Sequence, residues 1–211
     1  AKAPVFNGIH IVGDASGVVI GGENGTTPGG SCTGDCNLIS SDDTGVFVAA
    51  TSGSTLIQGN FIGTDGTGTA TIGNNVGIKI ESLFATIGGT AAAQRNVISG
   101  NTGYQVWLAT AGNTTVLGNY VGTNSAGTAA LPGNGEGIFI QQSDHTVLGD
   151  IVIGGAAAGA GNLISGVGLG ITIVASTGVQ VQGNLIGTAA DGVTALPNSK
   201  RGVFIYNGAD N

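Results

Sequence analysis

Methionine and charged side chains are what this sequence most clearly lacks. Its 211 residues contain no Met, and only 8% of them are Asp, Glu, Lys or Arg. Helices of soluble proteins are rich in Leu, Glu, Lys and Arg, so the composition argues against a helical fold. The 42 Gly residues, together with frequent Asn, Thr, Val and Ile, favour short strands joined by tight turns.

Basic residues are scarce as well. Five Lys and Arg against twelve Asp and Glu leave a formal net charge of −7. Because nucleic acid phosphates require a basic surface, we predict no nucleic acid partner. No apolar run approaches the roughly 18–20 residues that cross a bilayer, so we also predict no membrane span.

Internal repetition is the strongest pattern in the chain. One segment occurs three times, as GNFIGT at 59–64, GNYVGT at 118–123 and GNLIGT at 183–188. A second segment occurs as IGGTAAAQRNVISG at 87–100 and IGGAAAGAGNLISG at 153–166, with a longer version over 20–41. Repeats of this length indicate a solenoid or a related repeat architecture.

Seven short runs alternate apolar and variable residues: GIHI (8–11), GVFV (45–48), GIKI (77–80), QVWL (105–108), GIFI (137–140), GITI (170–173) and GVFI (202–205). Two further apolar pieces follow each of the first six runs, with Gly, Asn, Ser and Thr between them. Three short strands per repeat describe one coil of a parallel β-helix. We therefore predict an all-β solenoid of about six to seven coils, forming a single domain over residues 1–211.

The long loops alternate between two positions. In the coils that start at 8, 77 and 137 the loop separates the second and third strands, whereas in those that start at 45, 105 and 170 it follows the third strand. We expect loops at the same position to stack on one another, two coils apart. The coil from 137, whose second apolar piece is TVLGD, contains extra residues in QQSDHTVLGDIV before the IGG.

Six asparagines recur at corners of the predicted coils. Asn tolerates left-handed backbone and can hydrogen-bond backbone groups at a tight bend. We assign three to one bend and three to a second bend, as structural ladders between stacked coils: Asn60, Asn119 and Asn184, then Asn37, Asn96 and Asn162.

The two cysteines lie close together, in CTGDC. Cys32 and Cys36 are predicted to form a disulfide that pins a loop, worth roughly 2 kcal/mol in the loop-entropy model. Two free thiols are the alternative. A disulfide would place the protein in an oxidising compartment, which agrees with secretion.

The GIxI, VxGNxI and RNVISGN patterns resemble the repeats of right-handed parallel β-helix proteins of the pectate-lyase-like class. They are most similar to Gly/Asn/Thr-rich repeats of large bacterial extracellular and surface proteins. The resemblance covers about residues 8 to 206 and implies a right-handed fold and an extracellular, secreted or cell-surface location. Since the matching residues belong to the scaffold, it does not imply an activity.

Catalytic residues of that class are clustered carboxylates with a basic residue nearby. Asp42 and Asp43 are the weak candidates here, since no second Asp pair recurs in the following coils, where Glu136 is the one nearby acid. Asp144 and His145 form a sequence-adjacent acid–base pair without a nucleophile motif. We find no complete catalytic constellation and favour a non-enzymatic role.

Metal ligands do not recur from coil to coil. Asp65 and Asp191 could offer hard oxygen ligands to calcium. The residue that matches Asp65 is Asn124 in one repeat and Ala189 in the other, so no repeated site is expected. The prediction is no cofactor, with an isolated structural calcium ion as the open alternative.

The outward position of the first strand carries several large side chains: His10, Phe47, Lys79, Trp107, Phe139, Thr172 and Phe204. Adjacent strands are about 4.8 Å apart, so these side chains would form one row along the solenoid. Three explanations remain open. A loop covers the row, the row packs on another copy or domain, or its aromatic rings stack on sugar rings.

The ends of the sequence, AKAPVFN and YNGADN, show no cap pattern. Uncapped strand edges can pair with further strands. We therefore predict a structural role, in which the chain is a subunit or segment that stacks end to end in a fibre or surface stalk. Its partners are other copies or neighbouring coils of a longer chain. The alternative is a module that binds or degrades polysaccharide.

Overall fold

A computed structural model describes residues 7–25 and 28–206, which form a right-handed parallel β-helix with three strands per coil. The predicted fold class is confirmed. Sheet 1 contains β1 (Asn7–Ile11), β4 (Thr44–Val48), β7 (Val76–Ile80), β10 (Tyr104–Ala109), β13 (Glu136–Gln141), β16 (Leu169–Val174) and β19 (Arg201–Tyr206). Sheet 2 contains β2 (Val18–Gly21), β5 (Thr55–Gln58), β8 (Ala85–Gly88), β11 (Thr114–Leu117), β14 (Ile151–Gly154) and β17 (Val179–Gln182). Sheet 3 contains β3 (Leu38–Ile39), β6 (Phe61–Ile62), β9 (Val97–Ile98), β12 (Tyr120–Val121), β15 (Leu163–Ile164) and β18 (Leu185–Ile186).

The core is a stack of branched aliphatic side chains. In β4, Val46 and Val48 face the axis and are fully buried, whereas Phe47 between them faces outward and is partly exposed. The same inner position holds Ile78 and Val106 in the next two coils, also fully buried. Burial of each such side chain contributes about 1.5–3 kcal/mol, so the periodic aliphatic stack is the main source of stability.

The alternation of long loops is confirmed. The loops that follow sheet 3 stack two coils apart, because Ser125 N–H donates to Gly68 O over 3.0 Å and Ala190 N–H donates to Gly127 O over 2.9 Å. Each loop closes on itself through an antiparallel bridge, for example between Thr64 and Thr71. The loops thus add a further ladder outside the three sheets.

Helix is confined to two short pieces among the described residues, the 3-10 turn Ala92–Gln94 and helix α1, His145–Leu148. Helix α1 accounts for the extra residues of the coil that starts at 137, so the assignment of its second strand to TVLGD is wrong, and the strand is β14 instead. The prediction of uncapped ends falls largely on residues 1–6 and 207–211, which lie outside the described residues.

Candidate functional site

The outward row on sheet 1 is in register across all seven strands. The pairs run His10–Phe47, Phe47–Lys79, Lys79–Trp107, Trp107–Phe139, Phe139–Thr172 and Thr172–Phe204. We call these seven residues the outward row. The parallel β-helix therefore places side chains that are about thirty residues apart in sequence directly beside one another.

Lys79 lies between two aromatic rings of the outward row. Its Nζ is 5.1 Å from the centroid of the Phe47 ring and 4.4 Å from that of Trp107. Nζ also contacts Glu81 Oε1 at 2.7 Å. Aromatic faces attract a cation, so the two rings stabilise the ammonium group, and the Glu81 carboxylate balances its charge.

The centre of the outward row is more buried than the sequence predicts. Phe139 is only 9% exposed and Thr172 only 2%. Tyr104, which belongs to the same sheet but not to the row, covers Phe139 with a stacked ring at 4.8 Å and contacts Trp107 at 5.3 Å. Thr172 donates a hydrogen bond to Glu136 Oε2 over 3.3 Å. A side-chain cluster, rather than a loop, covers this part of the face.

A groove of about 430 Å³ runs beside this cluster. Its lining includes Gly103, Gly135 and Gly168, which belong to three successive coils, together with Tyr104 and Glu136. A Cβ atom at Gly135 would lie 2.0 Å from Gly103 O, so only glycine fits there. Burial, with smaller effects of Glu136 and Tyr206, raises the pKa of Tyr104, and its hydroxyl therefore stays protonated at neutral pH.

Three basic side chains of the described residues lie over aromatic rings. Arg95 lies over the Tyr120 ring at 3.9 Å and Arg201 over the Phe204 ring at 4.3 Å, in addition to Lys79. Burial lowers the pKa of Arg95, although interaction with Tyr120 opposes this shift. Of the basic residues in the described ranges, Lys200 is the one without such a ring contact.

The recurring asparagines form one ladder, which corrects the assignment to two bends. Nδ2 of each donates to Oδ1 of the next over 2.8–3.0 Å, in the order Asn37, Asn60, Asn96, Asn119, Asn162 and Asn184. All six directly precede a strand of sheet 3. They therefore share one corner of the solenoid. The coils differ only in the length of the segment that joins the sheet 2 strand to this corner.

The asparagine ladder is directional. At each rung the backbone N–H and Nδ2 of one Asn donate to Oδ1 of the Asn in the following coil. Nδ2 also donates to a backbone carbonyl, for example that of Asn119 to Ile87 O over 2.9 Å. In the hydrogen bonds between asparagines, the donors therefore point toward the C-terminal end of the solenoid and the Oδ1 acceptors toward its N-terminal end, while the second N–H of Nδ2 is bonded to a carbonyl of the preceding coil.

A second polar column, which sequence reasoning missed, lies at the corner before sheet 1. Asn74 donates from N–H and Nδ2 to Asn101 Oδ1, over 3.1 and 2.8 Å. Asn101 in turn donates to Gln105 Oε1. The recurrence of Asn74, Asn101, Asn134 and Asn198 before the strands of sheet 1 was the available signal.

Cys32 and Cys36 are joined by a disulfide, with their Cα atoms 5.3 Å apart. The bridged loop contacts a neighbouring loop through a hydrogen bond from Cys32 N–H to Gly66 O, over 2.8 Å. The bridge therefore holds a loop against the loop stack.

The weak catalytic candidates do not converge. Asp43 is exposed and accepts a hydrogen bond from Asn75 Nδ2 over 3.3 Å, while the Asp42 backbone N–H donates to Asn74 Oδ1. Asp144 accepts from Thr146 N–H and Oγ1 and so caps helix α1, whereas His145 Nδ1 contacts Asp150 Oδ1 at 3.2 Å. The hydrogen bonds from Thr146 lower the pKa of Asp144. Asp144 therefore acts as a helix cap.

The two calcium candidates serve their own loops. Burial raises the pKa of Asp65, but hydrogen bonds from Thr67, Ala70 and Thr69 outweigh this effect and lower it. Hydrogen bonds from Thr194 and Val193 lower the pKa of Asp191. Within residues 7–25 and 28–206, no group of three or more His, Cys, Asp or Glu side chains could hold a metal ion.

In the same ranges, no helix has the length and apolar character needed to cross a membrane. Comparison with models of known protein families, with curated proteins and with solved structures finds no match to this chain. The parallel β-helix therefore rests on the strand pairing itself, and the narrower resemblance to the pectate-lyase-like class remains a prediction.

Proposed function

We propose that this chain is an extracellular structural protein, a β-solenoid subunit or segment that stacks end to end in a fibre or surface stalk. The observation that carries the proposal is the exposure of core-facing side chains on β19, the last strand of the described residues. Val203 is 42% exposed and Ile205 48%, although Ile171 and Ile173, beside them in the preceding coil, are buried. A further coil would cover this apolar surface.

Strand edges support the same proposal. In the described residues β19, β17 and β18 are the outermost strands at the C-terminal end of the three sheets, and β1, β2 and β3 are outermost at the other end. Edge strands present backbone N–H and C=O groups that pair readily with another strand. Suitable partners are another copy of this chain or neighbouring coils of a longer chain.

The disulfide supports an extracellular location. Bonds of this kind form and persist in oxidising compartments and are rare in the cytosol of mesophiles. Because Cys32 and Cys36 close a loop that rests on a neighbouring coil, reduction would loosen the edge of the loop stack. A secreted or surface-exposed stalk gains from such a bridge.

Electron microscopy and light scattering of the purified chain, at low and moderate salt, test the structural role. We expect end-to-end particles, and we expect Val203→Lys to abolish them because it places a charge on the exposed end face. Val193→Lys is the matched control, since Val193 is 86% exposed in a loop. Wild-type protein that stays dispersed as single solenoids under all conditions contradicts the proposal.

A second candidate function is binding of polysaccharide, which the outward row and its groove favour. Tyr104 and Glu136 contribute an aromatic ring and a carboxylate acceptor to the lining of the groove, and such groups suit the apolar faces and the hydroxyl groups of sugars. Affinity electrophoresis in gels that contain neutral or acidic polysaccharides tests it. Trp107→Ser should abolish retardation, whereas Phe84→Ser, a change of an exposed ring away from sheet 1, should not. Release of new reducing or unsaturated sugar ends would indicate degradation.

A further inference from the structure

We propose that two copies of this chain associate side by side through sheet 2, with the Phe84 ring of each copy in a hollow on the other. The contact lies on a side face of the solenoid, so it does not depend on the end-to-end stacking proposed above. The partner is a second copy of this chain.

Phe84 exposes an aromatic ring on an unfavourable backbone. It directly precedes β8, has a φ of 63° and is 56% exposed. A bulky residue at positive φ is a conformational outlier, and the exposed part of the ring gains nothing from burial. Neither the backbone nor the core therefore accounts for Phe at this position in a single solenoid. Outliers of this kind point to a functional constraint, and a contact that buries the ring supplies one.

A hollow of about 210 Å³ lies beside Phe84. Gly17 and Ser54 hold the position of Phe84 in the two preceding coils, directly before β2 and β5. Since neither carries a large side chain, this space stays open. Leu56 and Thr86, on the outward face of sheet 2, also line it. A cavity of about 150 Å³ is enough to bind benzene, so a phenyl ring fits in the hollow.

The ring and the hollow are neighbours along the solenoid axis, on the same side of the molecule. A two-fold axis that passes between them places the Phe84 ring of each copy over the hollow of the other. Such a contact uses one surface patch twice and closes on itself, so it yields a pair rather than an open array. Because ring and hollow are offset along the solenoid axis, the two solenoids lie antiparallel.

The lack of charge on sheet 2 favours a second copy as the partner. None of its six strands contains Asp, Glu, Lys, Arg or His, whereas sheet 1 contains Lys79, Glu136 and Arg201. Two copies that each carry a formal net charge of −7 repel one another, and a neutral face is where they approach at least cost. Sheet 3 is uncharged as well, but its outward Phe61 and Leu163 are buried beneath the stacked loops.

The pair should be weak, because the contact covers only a few coils. Small interfaces are typical of transient association, so the pair should dissociate on dilution. A few buried side chains, often aromatic, supply most of the affinity of an interface. Loss of the Phe84 ring should therefore raise the dissociation constant more than about tenfold.

Sedimentation velocity over a concentration series tests the pair. The starting protein is Val203→Lys, in which end-to-end stacking is expected to be blocked, so that a doubling of mass reports lateral association. Phe84→Asn, added to this background, should abolish the doubling, and Asn is compatible with positive φ. Val193→Asn, a change of an 86% exposed residue in a loop outside sheet 2, is the control and should leave the doubling unchanged.

Ser54→Phe supplies an independent variant, because it fills the hollow and keeps the Phe84 ring. It should abolish the doubling as well, and thermal unfolding checks that both variants remain folded. Val203→Lys protein that stays a single solenoid at every concentration overturns the lateral pair. A doubling that survives either Phe84→Asn or Ser54→Phe overturns its assignment to this face. Both results leave end-to-end stacking untouched, since that is judged from the particles of wild-type protein.

Discussion

Asn96 donates two hydrogen bonds, from its backbone N–H and from Nδ2, to the single Oδ1 of Asn119, over 3.2 and 2.8 Å. Both residues are fully buried. This relationship repeats along the corner before sheet 3 and explains how a solenoid with so few charges keeps its corners in register. A buried polar network of this kind is stabilising only when every member is satisfied.

The first prediction concerns this ladder. Asn119→Ala should lower the free energy of unfolding by about 3 kcal/mol, because it leaves two buried donors of Asn96 without an acceptor. Asn184→Ala, at the half-buried last rung, should cost the isolated chain about 1 kcal/mol. Urea denaturation of both variants measures the difference. Equal losses would show that the ladder does not act as a buried network.

The second prediction concerns Lys79 between its two rings. Lys79→Met keeps the apolar contacts with Phe47 and Trp107 but removes the charge, and should cost about 0.5–1 kcal/mol. Lys200→Met, at an exposed position outside the ring contacts, is the control and should change little. A double-mutant cycle with Trp107→Leu isolates the pair energy. Additive effects of the two substitutions would exclude an interaction between the cation and the indole ring.

The third prediction concerns Phe84, which has a φ of 63° and is 56% exposed. In three of the other coils the residue directly before the sheet 2 strand also has positive φ, and it is Gly17, Asn113 or Gly178. Phe84→Asn should raise the free energy of unfolding by about 0.5 kcal/mol, because Asn tolerates this backbone better. Phe84→Val should lower it, since a branched Cβ suits positive φ poorly. Thermal unfolding of the two variants measures both changes. An increase in stability with Phe84→Val would contradict the idea that the backbone at residue 84 is strained.

The fourth prediction is a pH dependence. The pKa of folded Asp65, Asp144 and Asp191 lies below the ordinary value of 3.8. The stability from these groups is therefore complete above that value and is lost as pH falls through the lower folded pKa values. Acid denaturation should begin below about pH 4. Asp65→Asn should keep the loop folded, because Asn124 makes equivalent hydrogen bonds, and should reduce the acid sensitivity. If Asp65→Asn left the pH dependence of unfolding unchanged, Asp65 would not be a source of the acid sensitivity.

Much of the fold could be predicted from sequence because its period is explicit. The GIxI runs fix which side chains face the axis, so the outward row and its register follow directly. The single ladder could not be read from spacing alone, since a loop precedes Asn37 and Asn96 whereas a Gly precedes Asn60 and Asn119. The structure shows that all six asparagines directly precede a strand of sheet 3 and therefore lie at a single corner.

The site was harder to predict than the fold. Burial of Phe139 depends on Tyr104, which lies on the neighbouring strand, directly before the QVWL run at 105–108. The alternating pattern of a strand predicts that an aromatic side chain faces outward, but it does not predict which neighbouring side chains will cover it. For the same reason, the groove beside Glu136 depends on glycines of three coils and becomes visible only when the coils are stacked.

Cryo-electron microscopy of the purified chain tests the central claim, end-to-end stacking of solenoids, most directly. The account predicts filaments in which the strand spacing of about 4.8 Å along the solenoid axis continues across the joints between solenoids. Dispersed single solenoids under all conditions would contradict the account.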